Sequence, residues 1–326
     1  MRKRVKSVKP KVVVYKRMSE QVLDFIRESC DVQYFPDYKK EFPAFLEALK
    51  EAEGVLGSSL KFDADLLDQA PKLKIICNTS VGYDNLDIPL LKERGIMATN
   101  TPDVLNDTVA DTIVALMLSA ARRITELDQF VKTGGWSEYG LSQQQFGVDV
   151  HHKTLGIIGM GGIGSTLAKR AYFGFDMTIL YYNRSRNEEA ETTYNATYCT
   201  MDELLEQSDF VCIMTPLTQQ TEKMIGKREF EKMKKTAVFI NAARGKVVDE
   251  AALIEALQSN EILAAGLDVF ENEPTDPGNP LLQMPNVVTL PHIGSATAET
   301  RMRMAQLGAE NVVAGVTDGK LVTSIY

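Results

Sequence analysis

The sequence predicts an α/β fold of two doubly wound units, each a parallel sheet flanked by helices, and three observations carry the prediction. Short β-rich runs alternate with amphipathic stretches through the first hundred residues, and a second such series runs from Thr154 to Leu290. Alternation of this kind is the mark of strands laid parallel by helical crossovers. Between the two series lies a long apolar-periodic segment, residues 103–123, without Gly or Pro, which reads as a helix. The third observation is Gly159-Met160-Gly161-Gly162-Ile163-Gly164, a glycine cluster joining a strand-like run to a helix-like one.

In chain order, residues 12–15 read as a strand and precede a helix from Ser19; residues 32–35 precede one from Tyr38. Residues 54–57 precede a helix from Asp63, and residues 73–77 form the next strand. After the 103–123 helix comes a polar stretch with Gly134-Gly135-Trp136 and Gln143-Gln144-Gln145. Strands of the second series are expected at 154–159, 177–182, 209–214, 237–241, 263–267 and 287–290. Asp249 before Glu250 has the oxygen needed to cap a helix start, and a last helix is expected over about 296–313. No repeat stands out beyond the alternation itself.

A chain of 326 residues favours two domains with sizeable cores. Its net charge of -8 and lack of a broad basic stretch argue against nucleic acid as a partner. The start is basic (Arg2, Lys3, Arg4, Lys6), but no apolar core of a signal follows, so it reads as a solvated tail. Cys30, Cys77, Cys199 and Cys212 are widely spaced and form no CxxC pair, which fits buried thiols in a reducing cytoplasm and no metal site. The longest apolar run, residues 109–121, contains Asp111 and is too short to cross a bilayer, so no membrane partner is expected.

The glycine cluster follows Leu155-Gly156-Ile157-Ile158 and opens a helix at Ser165, the setting a dinucleotide site requires. Gly159 allows the tight turn, Gly161 lets backbone approach a pyrophosphate, and Gly164 lets helix and strand pack closely. The next strand exits into Asn183-Arg184-Ser185-Arg186, where an NAD site would place an acid. Two guanidiniums and a hydroxyl suit a 2′-phosphate, so NADP(H) is expected to be preferred with NAD(H) possible; the alternative is a solvated loop. Only three histidines exist, and His151-His152 precede the first strand of the second series with no third ligand nearby. The other, His292, follows a strand-like run, as do Arg244 and Glu273. Imidazole exchanges protons near neutrality, a carboxylate orients it and favours its charged form, and guanidinium grips a carboxylate. Trp136 either borders a pocket or packs.

Taken together, these motifs resemble the D-2-hydroxyacid dehydrogenase family, most closely its glyoxylate/hydroxypyruvate reductase and 2-ketogluconate reductase branch. The matching stretches are residues 78–85, 107–111, 148–157, 239–245, 265–274 and 291–297, in the family's order and spread over nearly the whole chain. The resemblance implies a flavodoxin-like substrate domain from residues 1–103 completed by 296–326, a Rossmann dinucleotide domain over 104–295, an active site in the cleft between them, and a homodimer. It implies Arg244 as binder of the substrate carboxylate and carbonyl, His292 as proton donor, Glu273 as its partner, and the N–H groups of Val81 and Gly82 as further carboxylate donors. Asp268 would meet the nicotinamide carboxamide and Thr108 a phosphate; Pro216, Thr221, Ala242, Ala243 and Gly294 would also line the cofactor. The activity expected is NADPH-dependent reduction of glyoxylate, hydroxypyruvate or 2-ketogluconate to the D-2-hydroxy acid, without a metal.

Several relatives compete with that expectation. Formate dehydrogenases of the superfamily lack the Glu–His pair, phosphoglycerate dehydrogenases often append regulatory domains, and D-lactate enzymes usually favour NAD. A nucleotide-sensing corepressor would keep the fold but usually carries extra tails, and none is expected here.

Overall fold

A computed structural model describes residues 8–326; the basic start, residues 1–7, lies outside the described residues. The chain forms two compact units, one taking in the residues through Val104 together with Thr297–Tyr326, the other Leu105–Ala296. Among the described residues no helix is long and apolar enough to cross a membrane.

In the first unit, β1 (Lys11–Val14), α1 (Glu20–Ser29), β2 (Asp31–Tyr34), α2 (Phe42–Leu49), β3 (Gly54–Gly57), α3 (Ala64–Asp68), β4 (Ile75–Asn78), α4 (Ile88–Glu93) and β5 (Met97–Thr99) alternate along the chain. All pairs are parallel and the sheet order is β2-β1-β3-β4-β5. The last helix of the chain, α12 (Ala298–Thr317), packs its Ala309, Val312 and Val316 against Val12, Val14, Leu56 and Ile75 on one face of this sheet. The other face carries Val13, Tyr15, Val55 and Ile76 beneath Phe45, Leu49 and Leu91. Burial on both faces explains why the inner strands β1, β3 and β4 are largely apolar runs, while the edge strand β2 alternates exposed and half-buried residues.

The second unit opens with α5 (Asn106–Arg122) and α6 (Ile124–Lys132), then builds a sheet from β6 (Thr154–Ile158), β7 (Thr178–Tyr182), β8 (Thr197–Tyr198), β9 (Phe210–Ile213), β10 (Val238–Asn241), β11 (Ala264–Leu267) and β12 (Val287–Thr289). The crossovers include α7 (Gly162–Phe175), α8 (Glu188–Tyr194), α9 (Met201–Gln207), α10 (Lys227–Lys232) and α11 (Glu250–Gln258). The order β12-β11-β10-β9-β6-β7-β8, all parallel, reverses between β6 and β9. Ligands of open α/β sheets gather at the carboxyl ends of strands beside such a reversal. One core of Ile158, Val211, Ile213, Phe230, Phe239 and Leu253 fills one side of this sheet.

Several boundaries differ from the sequence pattern for identifiable reasons. The helix after β2 starts at Phe42, not Tyr38, because Pro43 sets its first turn and Tyr38 stays in a turn with its ring against Tyr15 and Phe45. The long helix starts at Asn106, not residue 103, since Asp103 takes a left-handed φ of 66°. The last helix starts at Ala298, where Thr297 caps the Thr300 N–H, and runs past residue 313 to Thr317 because its far end remains packed on the sheet. The sequence pattern does not mark out α4, β5, α6 or β8: β5 and β8 are very short, and α6 buries no residue.

Candidate functional site

The second unit gathers its sequence-predicted residues at strand exits, except Thr108, which lies in the first turn of α5. β6 ends at Ile158 and the glycine turn follows, with Gly159 at φ 107°, a value that L side chains rarely adopt. A Cβ on Gly164 would stand 2.2 Å from the Gly159 carbonyl oxygen, so that glycine is needed for the helix to seat. Gly161 differs: a Cβ there would meet nothing within 4 Å. Its bare backbone therefore faces open space at the head of α7, where N–H groups and the helix dipole suit an anion. Met160 is buried and Gly162 lies against Asn106 at the start of α5, two residues from Thr108. Ile163 is half-buried within the first turn of α7.

The loop after β7 is anchored at its far end by Asn187, whose amide nitrogen donates to the Met160 carbonyl at 3.0 Å and to Ser165 Oγ at 3.2 Å. Asn187 is a supporting residue that sequence reasoning missed. Within the loop the two arginines part company. Arg186 forms a two-pronged pair with Glu191, at 2.9 and 2.6 Å, which corrects the expectation that both guanidiniums await a phosphate. Arg184 and Ser185 are exposed, and among the described residues no acid holds Arg184. Asn183 turns its amide back onto the Ser185 carbonyl at 3.1 Å.

Past β9, Thr221 Oγ1 donates to the Pro216 carbonyl at 2.6 Å, closing a loop whose start, Met214–Thr215, lies against Gly159. Past β10, the buried Asn241 side chain clamps the next turn. It donates to the Arg244 carbonyl at 2.9 Å and accepts from the Ala243 N–H at 3.0 Å, holding Ala242, Ala243 and Arg244 in one tight loop. A Cβ on the following Gly245 would overlap the Phe270 carbonyl, at 1.8 Å. The loops after β10 and β11 thus press together at a point only glycine permits, and Arg244 and Glu273 ride on either side.

His292 takes φ 56° just past β12, and its Nδ1 lies 2.7 Å from Glu273 Oε2, while the Phe270 N–H donates to the other oxygen at 3.2 Å. Burial pushes the Glu273 carboxyl up, but the His292 hydrogen bond and charge, the Phe270 N–H and the Arg244 guanidinium outweigh it and hold the group below the usual carboxylate range. Asp268 is fully buried, and its two oxygens accept from the Ile293 N–H at 2.7 Å and the Gly294 N–H at 2.8 Å. Burial raises its carboxyl in spite of those bonds. Its visible work is to shape the turn that carries His292, a duty the sequence pattern does not show.

In the first unit, the turn after β4 carries Val81 and Gly82. The Val81 carbonyl accepts from the Asn100 amide at 2.8 Å and the Gly82 carbonyl from Ser80 Oγ at 2.7 Å. Both carbonyls are thereby turned into protein, and among the described residues nothing accepts from the two N–H groups.

Comparison with known proteins shows what the chain is similar to. The model of the D-isomer specific 2-hydroxyacid dehydrogenase, NAD binding domain, matches residues 114–294. A glyoxylate/hydroxypyruvate reductase B of Cronobacter sakazakii is 52% identical over 307 residues, covering 94% of each chain. A crystal structure of a glyoxylate reductase from Paecilomyes thermophila superposes with a TM-score of 0.88 at 32% identity, over 97% of this chain and 98% of that one. Another, an NADPH-dependent glyoxylate/hydroxypyruvate reductase from Sinorhizobium meliloti in complex with NADP and malonate, superposes with a TM-score of 0.86 at 33% identity, over 97% of each.

Proposed function

The chain belongs to the D-isomer specific 2-hydroxyacid dehydrogenase family, and from that premise we propose that it reduces glyoxylate and hydroxypyruvate to D-2-hydroxy acids with NADPH. The observation that carries this reading is the His292–Glu273 contact at 2.7 Å beside the Arg244 loop, a proton source next to a carboxylate clamp. The open backbone at Gly161 and the exposed Arg184 support a dinucleotide with a 2′-phosphate, and the likeness to an NADPH-dependent reductase favours NADPH. When bound, NADPH supplies the hydride that adds to the keto carbon.

Everything else falls to the chain's own side chains. The planar fork of Arg244 holds the substrate carboxylate, and the Val81 and Gly82 N–H groups are proposed as further donors to it. Glu273, ionised, accepts a hydrogen bond from the Nδ1–H of His292 and so leaves Nε2–H for the substrate. Protonated His292 then gives its Nε2 proton to the carbonyl oxygen as negative charge develops there. Thr108, Pro216, Thr221, Ala242, Ala243, Asp268 and Gly294 are assigned to cofactor binding on the same reading. The whole-chain likeness to reductases disfavours the corepressor alternative, and 2-ketogluconate joins the proposed substrates only through the family branch.

A homodimer is proposed on the exposed apolar side chains Ile124, Val131, Trp136, Leu141 and Phe146, which crowd one 23-residue stretch. Free thiols at Cys30, Cys77, Cys199 and Cys212 suit operation in the cytoplasm. Assay of a 2-keto acid panel with NADPH and NADH in parallel tests the reading. Turnover of glyoxylate and hydroxypyruvate with NADPH preferred is expected; no turnover of either with both cofactors rejects it.

A further inference from the structure

Away from the residues assigned above, the first unit holds a lysine that no acid pairs among the described residues. Lys16 follows β1 and Ser58 follows β3, and these two neighbours form the reversal point of the order β2-β1-β3-β4-β5. Open doubly wound sheets take ligands at such a point. Alternation along β1 carries Val12, Val14 and then Lys16 on the face covered by α12, as it carries Leu56 and then Ser58 along β3. Lys16 Nζ donates to Ser58 Oγ at 2.7 Å. Arg301, in the first turn of α12, adds its repulsion to the burial that pushes the Lys16 ammonium down to about 8. Among the described residues no carboxylate pairs with either cation. Two cations brought together, one of them largely withdrawn from water, are relieved by an anion bound between them.

We propose that Lys16, Ser58 and Arg301 form a subsite for an anionic group on the far end of a longer 2-keto acid. This rests on the function proposed above, in which the near carboxylate meets the Val81 and Gly82 N–H groups. Those groups follow β4, the strand next to β3 in the same parallel sheet. Strands stand about 4.8 Å apart, so the subsite lies roughly 5–10 Å along the sheet edge from them. That separation suits a chain of four to six carbons and leaves glyoxylate too short to reach.

The test compares native enzyme with Lys16→Met and Lys16→Arg on glyoxylate, 2-oxopentanoate and 2-oxoglutarate, the last two alike in length and different in terminal charge. Lys16→Met is expected to lower kcat/KM for 2-oxoglutarate roughly tenfold or more, mainly through KM, with the other two substrates within about twofold. Lys16→Arg should recover part of the loss. Thermal stabilisation by inorganic phosphate and by succinate, read without substrate, should be smaller in Lys16→Met than in native protein. The idea is overturned if the three substrates respond alike, or if anion stabilisation is indifferent to the substitution. Absence of both glyoxylate and hydroxypyruvate turnover in native enzyme, with NADPH and with NADH, would reject the proposed function, while the anion titration would still decide the subsite.

Discussion

His292 can offer only Nε2 to a substrate, because Glu273 engages Nδ1 at 2.7 Å and is itself fixed by the Phe270 N–H. His292→Asn should therefore lower kcat by about two to four orders of magnitude and leave the dissociation constant for NADPH near its native value. Stopped-flow reduction and a fluorescence titration check the two halves, and unchanged turnover would remove His292 from the mechanism. Arg184 allows a second prediction at this scale, because its neighbour Arg186 is already tied to Glu191. Arg184→Ala should raise KM for NADPH by roughly tenfold and barely change KM for NADH, whereas Arg186→Ala should act mainly through stability. Salt should erode the NADPH preference, since Arg184 lies exposed in solvent. Equal loss of both cofactors in Arg184→Ala would mean that the loop does not read the 2′-phosphate.

Loops at the ends of β10 and β11 owe their positions to each other. Asn241 ties the first into a tight turn, and Gly245 lets the second approach to a separation that excludes any side chain. Gly245→Ala must push the Phe270 backbone away and with it the Phe270 N–H that holds Glu273. Overpacking of this kind costs about 1–3 kcal/mol, and a shift near 1 Å at catalytic groups costs on the order of a hundredfold in rate. The expected outcome is a lowered Tm together with a loss in kcat larger than any loss in NADPH affinity, measured on the folded fraction. A variant with native kcat would show that this contact does not set the site. The same logic explains why the motif glycines and Asn241 are legible in sequence only in part. A GxGxxG between strand and helix announces its turn, but nothing in the local sequence of Gly245 says which backbone will press against it.

At the scale of the whole molecule, acid should destabilise this chain through carboxylates that the fold holds ionised. Burial pushes Asp209 up, but Lys234 at 2.9 Å and the Thr154 N–H at 3.0 Å overcome it and hold it below the usual range. Glu273 is lowered as well. A carboxyl whose folded pKa lies below its unfolded one contributes stability that is complete above the unfolded value, about 3.9 for Asp, and is lost as pH falls through the folded value. Tm should therefore hold from pH 7 to about 5 and fall below it, and Asp209→Asn should lower Tm at pH 7 while flattening the acid slope. An acid slope as steep in the variant as in the native protein would exclude Asp209 as a contributor.

What the sequence determined by itself is what depends on neighbours along the chain. Apolar runs such as residues 54–57 and 238–241 are strands because they are buried on both faces, caps such as Ser19, Asp63 and Asp249 start helices, and Gly159 turns where it must. The motifs that single out Arg244, Glu273 and His292, the trio proposed for the chemistry, are likewise legible along the chain. Only the tertiary structure decided which partners each side chain would have. It tied Arg186 to Glu191 and left Arg184 without an acid among the described residues, turned both oxygens of Asp268 onto the His292 turn, and placed Lys16 beside Ser58 and Arg301. The physical reason is that hydrogen bonds and charges act over a few ångströms in space, whereas these partners stand between 5 and 285 residues apart along the chain.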